Sequence, residues 1–128
     1  MTVLPEKKSI TVLIVDDSPT ARELLRDILH ECGCSVVGEA ADGLEAVEKY
    51  LELQPRLTMM DVKMPRMGGV KAAREILAKD REARILICSS SDRESLLTAA
   101  AEAGACGCVA KPFILERVVE AIEAAFSI

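Results

Sequence analysis

The chain has 128 residues and a formal net charge of −5, and half of its residues are apolar although it contains only one Tyr, two Phe and no Trp. This length suits one domain with a hydrophobic core and leaves no room for a second, while the acidic balance and the lack of aromatic platforms argue against a nucleic-acid-binding surface. No apolar run approaches the roughly 18 residues of a membrane span, and residues 1–8 lack the apolar segment of a signal peptide, so we expect a cytoplasmic protein.

The first half of the chain predicts two strand–helix units after a flexible lead-in at residues 1–9. The run 10–15 is β-branched and almost continuously apolar, which is typical of a strand buried on both faces in a parallel sheet. Ser18–Pro19 supply an N-cap and a first-turn proline for a helix. A more polar strand at 36–39 and a helix beginning at Asp42–Gly43 follow. The apolar stripes of these two helices include Ala21, Leu24, Leu25, Ile28, Leu29, Leu44, Val47, Tyr50 and Leu51.

The second half of the chain continues this alternation. Strands are predicted at 57–60, 85–88 and 107–110, and helices through 70–77, 93–103 and 115–126. Five alternating β–α units with short connections and right-handed crossovers predict a single α/β domain. Its parallel five-stranded sheet should be covered by helices on both faces.

Five cysteines and one histidine raise the possibility of a disulfide framework or a soft-metal site. An odd number of cysteines without a secretion signal argues against disulfides, and the Cys-x-Cys spacing differs from the Cys-x2-Cys spacing of zinc sites. We expect reduced cysteines that pack as small hydrophobic residues, and a solvated His30 on the first helix. The cysteines are Cys32, Cys34, Cys88, Cys106 and Cys108.

Polar residues follow four of the five predicted strands. Asp16 and Asp17 end the first strand, Asp61 the third, Ser89 the fourth and Lys111 the fifth. Ligands of open α/β sheets bind outside the carboxyl ends of the strands, where these residues would meet. Taken singly, an Asp here suits helix capping and a Lys suits a solvated strand end. Together, three carboxylates, a hydroxyl and an amine predict a functional site.

The chemistry of this set points to phosphate. Three neighbouring carboxylates repel one another, and a hard divalent cation such as Mg²⁺ would relieve that repulsion. The cation and the Lys111 ammonium would also neutralise the oxygens of a phosphoryl group, to which Ser89 could donate a hydrogen bond. Asp61, just before a loop rich in Pro and Gly, is the candidate nucleophile that would accept phosphoryl as an acyl phosphate.

With these residues in place, the sequence resembles the receiver domains of two-component response regulators. The matching segments occur in order from Asp16 to Phe113, and the resemblance covers nearly the whole chain. They are Val15-Asp16-Asp17-Ser18, Asp42-Gly43, Met60-Asp61-Val62-Lys63-Met64-Pro65 with Gly68-Gly69, Ser89-Ser90, Gly104-Ala105 and Lys111-Pro112-Phe113.

The resemblance implies a flavodoxin-like, doubly wound fold with strand order 2-1-3-4-5, in a receiver domain spanning residues 10–128. It implies that Asp61 takes phosphoryl from the phosphohistidine of a sensor histidine kinase or phosphotransfer protein. Mg²⁺ would be held by Asp16, Asp17, Asp61 and the backbone carbonyl of Lys63. Ser89 would be the switch hydroxyl and Lys111 the phosphate contact. The Lys111–Pro112 peptide should be cis.

This sequence also departs from the family pattern. Cys108 stands where many members carry an aromatic residue that turns inward on activation, so the signal should leave through helix four and the loop before it. We expect an output protein to bind the face formed by helix four, strand five and helix five. Lys63 and Ser91 occupy variable positions that the resemblance links to the speed of dephosphorylation.

Several interpretations remain open from the sequence. The first is a chemotaxis-like, single-domain phosphoacceptor switch, which assists only its own phosphorylation and dephosphorylation. The same sequence would suit a receiver fragment of a larger regulator. A Mg²⁺-dependent phosphatase with an aspartyl-phosphate intermediate is disfavoured, since Val62-Lys63 follow Asp61 where such enzymes need a second Asp. A dinucleotide binder lacks its glycines in the turn after the first strand.

Overall fold

Strands and helices alternate along residues 10–127, the part of the chain that the computed structural model describes. The lead-in predicted at residues 1–9 lies outside this range, as does residue 128. The elements are β1 (Thr11–Val15), α1 (Pro19–Glu31), β2 (Ser35–Ala40), α2 (Gly43–Leu53), β3 (Leu57–Asp61), α3 (Gly69–Lys79), β4 (Ile85–Ser89), α4 (Arg93–Ala103), β5 (Gly107–Ala110) and α5 (Leu115–Phe126).

All five strands are parallel and lie in the order β2-β1-β3-β4-β5, which confirms the predicted fold class. The register aligns the strand ends closely: Val15 pairs with Met60, Asp61 with Cys88, and Ser89 with Ala110. Residues that follow β1, β3, β4 and β5 therefore reach the same edge of the sheet, which we call the carboxyl rim.

Two hydrophobic layers cover the sheet. Residues of α1 and α5 pack on one face, with Val12 and Met59 among the strand residues that meet them. Residues of α2, α3 and α4 pack on the other face, around Leu13 and Met60. Because β3 lies at the centre and contacts both layers, every one of its residues is buried. Burial on both faces explains why Leu57, Met59 and Met60 follow without alternation, and Thr58 and Asp61 are the buried polar residues of the strand.

Three helices begin where a side chain caps the first turn. The Ser18 hydroxyl accepts a hydrogen bond from the Ala21 amide, and the Asp42 carboxylate accepts one from Glu45. Asp92 caps α4 in the same way. Such caps satisfy backbone donors that a helix leaves free at its start. They fix where each helix begins relative to the rim. No helix among residues 10–127 is long and apolar enough to cross a membrane.

The predicted helix faces require one correction. Leu24, Leu44 and Leu51 were expected on apolar stripes facing the core, but they are 43%, 40% and 45% exposed. The sheet covers a narrower strip of each helix than the apolar residues occupy, and Leu25 of α1 and Tyr50 of α2 fill it. Leucines at the flanks of an apolar stripe therefore remain in solvent.

The cysteines and the histidine mostly follow the sequence-based expectation. All five cysteines are free thiols, and three of them are buried. Cys108 is half-buried, and Cys106 is exposed, which contradicts the prediction that it packs as a small hydrophobic residue. Cys106 lies just before the edge strand β5, and its thiol donates to the Ile85 carbonyl at 3.4 Å. His30 is exposed on α1, as predicted.

Candidate functional site

Three carboxylates and one amine meet at the carboxyl rim. Oxygens of Asp16, Asp17 and Asp61 all lie within 4.8 Å of one another. The Lys111 ammonium donates hydrogen bonds to Asp16 Oδ2 at 2.6 Å and to Asp61 Oδ1 at 3.0 Å. The predicted cluster is therefore present. It joins Asp16 and Asp17, which follow β1, to Asp61 at the end of β3 and Lys111 after β5. Its Lys111–Pro112 peptide is cis, as the family resemblance implied.

The cluster is only partly neutralised. Burial raises the pKa of the Asp61 carboxyl, and the charges of Asp16 and Asp17 raise it further against the opposing effect of Lys111. Burial also disfavours the charge of Lys111, but its hydrogen bonds to Asp16 and Asp61 outweigh this and leave the pKa of its ammonium raised. Three carboxylates share one ammonium group, so their negative charge exceeds the positive charge that Lys111 supplies.

Asp16 is held in place from its own loop. Its Oδ1 accepts a hydrogen bond from the Ser18 amide at 2.9 Å, and its Oδ2 faces Lys111. The guanidinium of Arg22 donates to the Asp16 backbone oxygen at 2.6 Å and also pairs with Glu39. The side chain of Asp16 is 4% exposed, so it is the buried anchor of the cluster. Asp17, by contrast, is exposed to solvent.

The oxygens that remain available suit a hard cation. No described residue donates a hydrogen bond to Asp61 Oδ2 or to either carboxylate oxygen of Asp17. The donors at this cluster instead engage Asp16 and Asp61 Oδ1. Carboxylates of this kind, with waters and a backbone carbonyl, are the oxygen ligands that Mg²⁺ takes. Lys63 lines the same cavity as Asp61.

The loop after β3 presses closely on Asp61. The Gly69 amide donates to the Val62 carbonyl at 2.8 Å, which closes the loop into a tight turn. A Cβ on Gly69 would lie 1.9 Å from the Asp61 backbone oxygen, well inside any permitted contact. Glycine is therefore required here because the backbones of α3 and β3 approach so closely.

The other side of this loop is tied to the start of α2. The Gly43 amide donates to the Met67 carbonyl at 2.9 Å. The Arg66 guanidinium donates to both oxygens of Asp42, at 2.9 and 3.2 Å. No role was predicted for Arg66, whose backbone lies in the left-handed region with φ +64°. The Asp42–Gly43 motif thus anchors the loop that carries Lys63.

Ser89 lies at the rim, and its hydroxyl makes hydrogen bonds within its own loop and not to Asp61. Its Oγ is 2.8 Å from Ser91 Oγ and accepts a hydrogen bond from the Ser91 amide at 3.1 Å. Ser89 was predicted at the site, whereas its local partner Ser91 was not predicted to contact it. Two serines separated by one residue in a loop after a strand are the sequence signal that was available.

A shallow cavity of about 200 Å³ connects these groups to solvent. It is lined by Asp61, Lys63, Ser89, Ser90, Ser91 and Lys111. Larger surface cavities of about 530 and 610 Å³ lie beside α1 with β2 and beside β5 with α5. The smaller cavity is the candidate functional site because it alone among these three adjoins the carboxylate cluster.

Comparison with known proteins agrees with this geometry. Residues 12–123 match the family model of the response regulator receiver domain. The chemotaxis protein CheY of Thermotoga maritima is 46% identical over 111 residues, which cover 87% of this chain and 92% of that protein.

Two solved structures show the same fold. A two-component response regulator of the LuxR family from Aurantimonas sp. SI85-9A1 has a TM-score of 0.86 and 38% identity, covering 94% of this chain and 86% of that one. The CheX–CheY–BeF3–Mg²⁺ complex from Borrelia burgdorferi matches with a TM-score of 0.86 and 31% identity, covering 91% of this chain and 89% of that one. The chain therefore belongs to the response regulator receiver domain family, whose members are phosphoacceptor switches of two-component signalling.

Proposed function

We propose that this chain is a phosphorylation-activated signalling switch in which Asp61 accepts phosphoryl from the phosphohistidine of a sensor histidine kinase or phosphotransfer protein. The observation that carries the proposal is the position of Asp61. One of its oxygens is fixed by Lys111, and the other receives no hydrogen bond from a described residue. We assign the receiver domain to residues 10–128, which include the matched range 12–123.

The transfer step follows from these contacts. The unengaged Oδ2 of Asp61 attacks phosphorus, and the P–N bond of the phosphohistidine breaks as the new P–O bond forms. The imidazole leaves as a neutral group once it has taken up a proton. Lys111 lies beside Asp61 Oδ1 at 3.0 Å and would contact a phosphoryl oxygen. Ser89 would turn toward another oxygen and donate a hydrogen bond.

Asp16, Asp17, Asp61 and the Lys63 backbone carbonyl would hold Mg²⁺. The donor set fits because it consists of hard oxygens in excess of the available positive charge. When bound, the ion supplies neutralisation of the phosphoryl oxygens. Asp17 has the sparsest protein contacts of the three carboxylates and is exposed, so it can reorient toward the ion. The chain would act as a switch and not turn over a separate substrate.

Labelling tests the nucleophile. Incubation with acetyl phosphate and Mg²⁺, followed by borohydride trapping and peptide mass analysis, should place the label on Asp61. Asp61→Asn should abolish labelling, whereas Asp27→Asn, which neutralises an exposed carboxylate on α1, should retain it. Equal labelling of the wild type and Asp61→Asn would overturn the assignment.

Metal binding tests the acidic pair. In a Mg²⁺ titration followed by NMR, Asp17→Asn should weaken affinity at least tenfold, while Asp27→Asn should match the wild type. This expectation follows because Asp17 supplies a ligand and Asp27 does not belong to the cluster. Unchanged affinity in Asp17→Asn would exclude it from the site.

For the output we propose a protein partner that binds the face formed by α4, β5 and α5. Cys108 of β5 opens there onto a cavity of about 610 Å³ lined also by Arg93, Arg117, Glu116 and Glu120. The Borrelia burgdorferi relative was crystallised with the protein CheX, BeF3 and Mg²⁺, which supports output by protein contact. Pull-down with and without beryllofluoride should yield a partner specific to the activated form. Charge reversal at Glu116 should reduce its capture.

A further inference from the structure

The loop between β4 and α4 holds the Ser89 hydroxyl in a local hydrogen-bonded ring. Ser89 is the last residue of β4 and is half-buried, while Ser90 and Ser91 are exposed. Ser89 Oγ lies 2.8 Å from Ser91 Oγ and accepts from the Ser91 amide at 3.1 Å. Ser90 lines the same cavity and has no hydrogen bond through its side chain to a described residue. The loop therefore offers two neighbouring hydroxyls, of which only one engages Ser89.

A serine hydroxyl has one hydrogen to donate and two lone pairs that can accept. The Ser91 amide takes one lone pair of Ser89 Oγ, and the bond to Ser91 Oγ takes either the hydrogen or the second lone pair. With Ser89 as the donor in the bond to Ser91, its one hydrogen cannot also go to a phosphoryl oxygen on Asp61. In this arrangement the resting contact and the activated contact are alternatives.

We propose that Ser91 is a positioning residue that holds the Ser89 hydroxyl in its resting orientation and so sets how much activating ligand the switch requires. The inference rests on the proposed function, because it concerns the step that follows modification of Asp61. A two-state element responds to a ligand by an amount that depends on its resting equilibrium. The bond between Ser89 and Ser91 contributes to that equilibrium on the resting side.

The same bond connects the site to helix α4. Ser91 directly precedes Asp92, whose carboxylate caps α4 by accepting from the Ser95 amide at 2.8 Å. Release of Ser91 from Ser89 frees the residue next to this cap. Movement at the start of α4 can then accompany movement of Ser89 toward Asp61. Ser91 thus couples the orientation of one hydroxyl to the position of the proposed output face.

Three variants test the proposal. Ser91→Ala removes the hydroxyl and keeps the backbone amide, Ser91→Thr keeps both groups, and Ser90→Ala removes the neighbouring hydroxyl that does not contact Ser89. Each protein is titrated with beryllofluoride at saturating Mg²⁺, and the amide signals of residues 89–96 report the population of the switched state. Separately, intact-mass analysis after acetyl phosphate treatment reports modification of Asp61.

Ser91→Ala should reach half of the switched population at about three- to tenfold lower beryllofluoride concentration than the wild type. This range corresponds to the loss of one hydrogen bond that exchanges with water. Ser91→Thr and Ser90→Ala should remain within about twofold of the wild type. Recovery by threonine would assign the effect to the hydroxyl, since a general loosening of the loop would not distinguish the two substitutions in this way.

A midpoint in Ser91→Ala equal to that in Ser90→Ala would overturn the positioning role, and so would a higher midpoint. If Asp61 is modified in all proteins while the midpoints coincide, only the role of Ser91 fails and the proposed function stands. If the wild type neither switches with beryllofluoride nor carries label on Asp61, the proposed function fails and the inference fails with it.

Discussion

The close approach of Gly69 to Asp61 makes a sharp prediction for the substitution Gly69→Ala. Gly69 is the first residue of α3, and its φ is not in the left-handed region, so backbone conformation alone permits alanine. In an open helix position, exchanging glycine for alanine stabilises the fold by up to ~1 kcal/mol. Gly69→Ala would therefore raise the free energy of unfolding if the space around Gly69 could hold a methyl group.

The space around Gly69 cannot hold a methyl group. The added Cβ would lie 1.9 Å from the Asp61 backbone oxygen and 2.9 Å from its carbonyl carbon. A permitted contact is no shorter than 3.0 Å, so α3 and β3 must separate by about 1 Å. Overpacking of this kind costs about 1–3 kcal/mol. The upper end applies because the Asp61 oxygen belongs to the backbone of β3 and the Cβ is fixed rigidly to the backbone of α3. Since Asp61 would shift with its carbonyl, phosphoryl transfer should slow as well.

Urea unfolding and acetyl phosphate labelling measure the two effects. Gly68→Ala is the matched control, because its Cβ would lie 3.2 Å from the Val62 oxygen and needs only a small adjustment. We expect Gly69→Ala to lose ~2–3 kcal/mol of unfolding free energy and Gly68→Ala to lose less than ~1 kcal/mol. Equal stability of the two variants, with equal labelling rates, would refute the argument that this contact fixes Asp61.

Three further predictions concern the site and the core. Because the pKa of Asp61 is raised in the folded state, this carboxyl favours folding below its usual pKa of about 3.9 and loses that contribution as pH rises through the raised value. Urea unfolding in EDTA should therefore show that Asp61→Asn gains stability relative to the wild type from pH 3.5 to pH 7. Asp42→Asn keeps the cap on α2 but removes the ion pair with Arg66, so hydrogen exchange at the Gly43 amide, which binds the loop, should accelerate. Thr58 Oγ1 is buried without a hydrogen-bond partner, so Thr58→Val should raise the unfolding free energy by ~1–2 kcal/mol.

Each of these outcomes has a counterpart that would contradict it. A stability difference between Asp61→Asn and the wild type that stays constant with pH, or that saturating Mg²⁺ does not reduce, would contradict the electrostatic account. Asp92→Asn makes the same chemical change at the cap of α4 and should leave the Gly43 amide unaffected. If Thr58→Val is less stable than the wild type, its hydroxyl has a partner after all.

Much of the carboxyl rim could be predicted because each strand end is marked by a pattern of a few consecutive residues. An apolar run followed by a polar residue reports both a strand and the place where it ends, and parallel pairing brings such ends together. Asp16, Asp61 and Lys111 were found in this way, and the structure joins them by hydrogen bonds. The fold class followed from the alternation of strands and helices without any long-range information.

Other features depend on information that a local pattern does not contain. The pairing of Arg66 with Asp42 spans 24 positions and needs a left-handed backbone at a residue other than glycine, for which the sequence gives no signal. The exposure of Leu44 and Leu51 depends on the strip of α2 that the sheet covers. The orientation of the Ser89 hydroxyl depends on its contact with Ser91, which composition alone does not reveal.

The hydrogen bond between Asp16 and Lys111 joins residues 95 positions apart in the sequence. Contacts of such separation close a long loop and therefore cost loop-closure entropy. Asp16 follows β1 and Lys111 follows β5, and β3 and β4 lie between these strands. The pair therefore forms only when the strands from β1 to β5 have assembled. A ligand that binds the finished rim and not the unfolded chain would add about 2.7 kcal/mol of stability at 100 times its Kd. Ligand binding at the acidic cluster is thus thermodynamically linked to the stability of the sheet from β1 to β5.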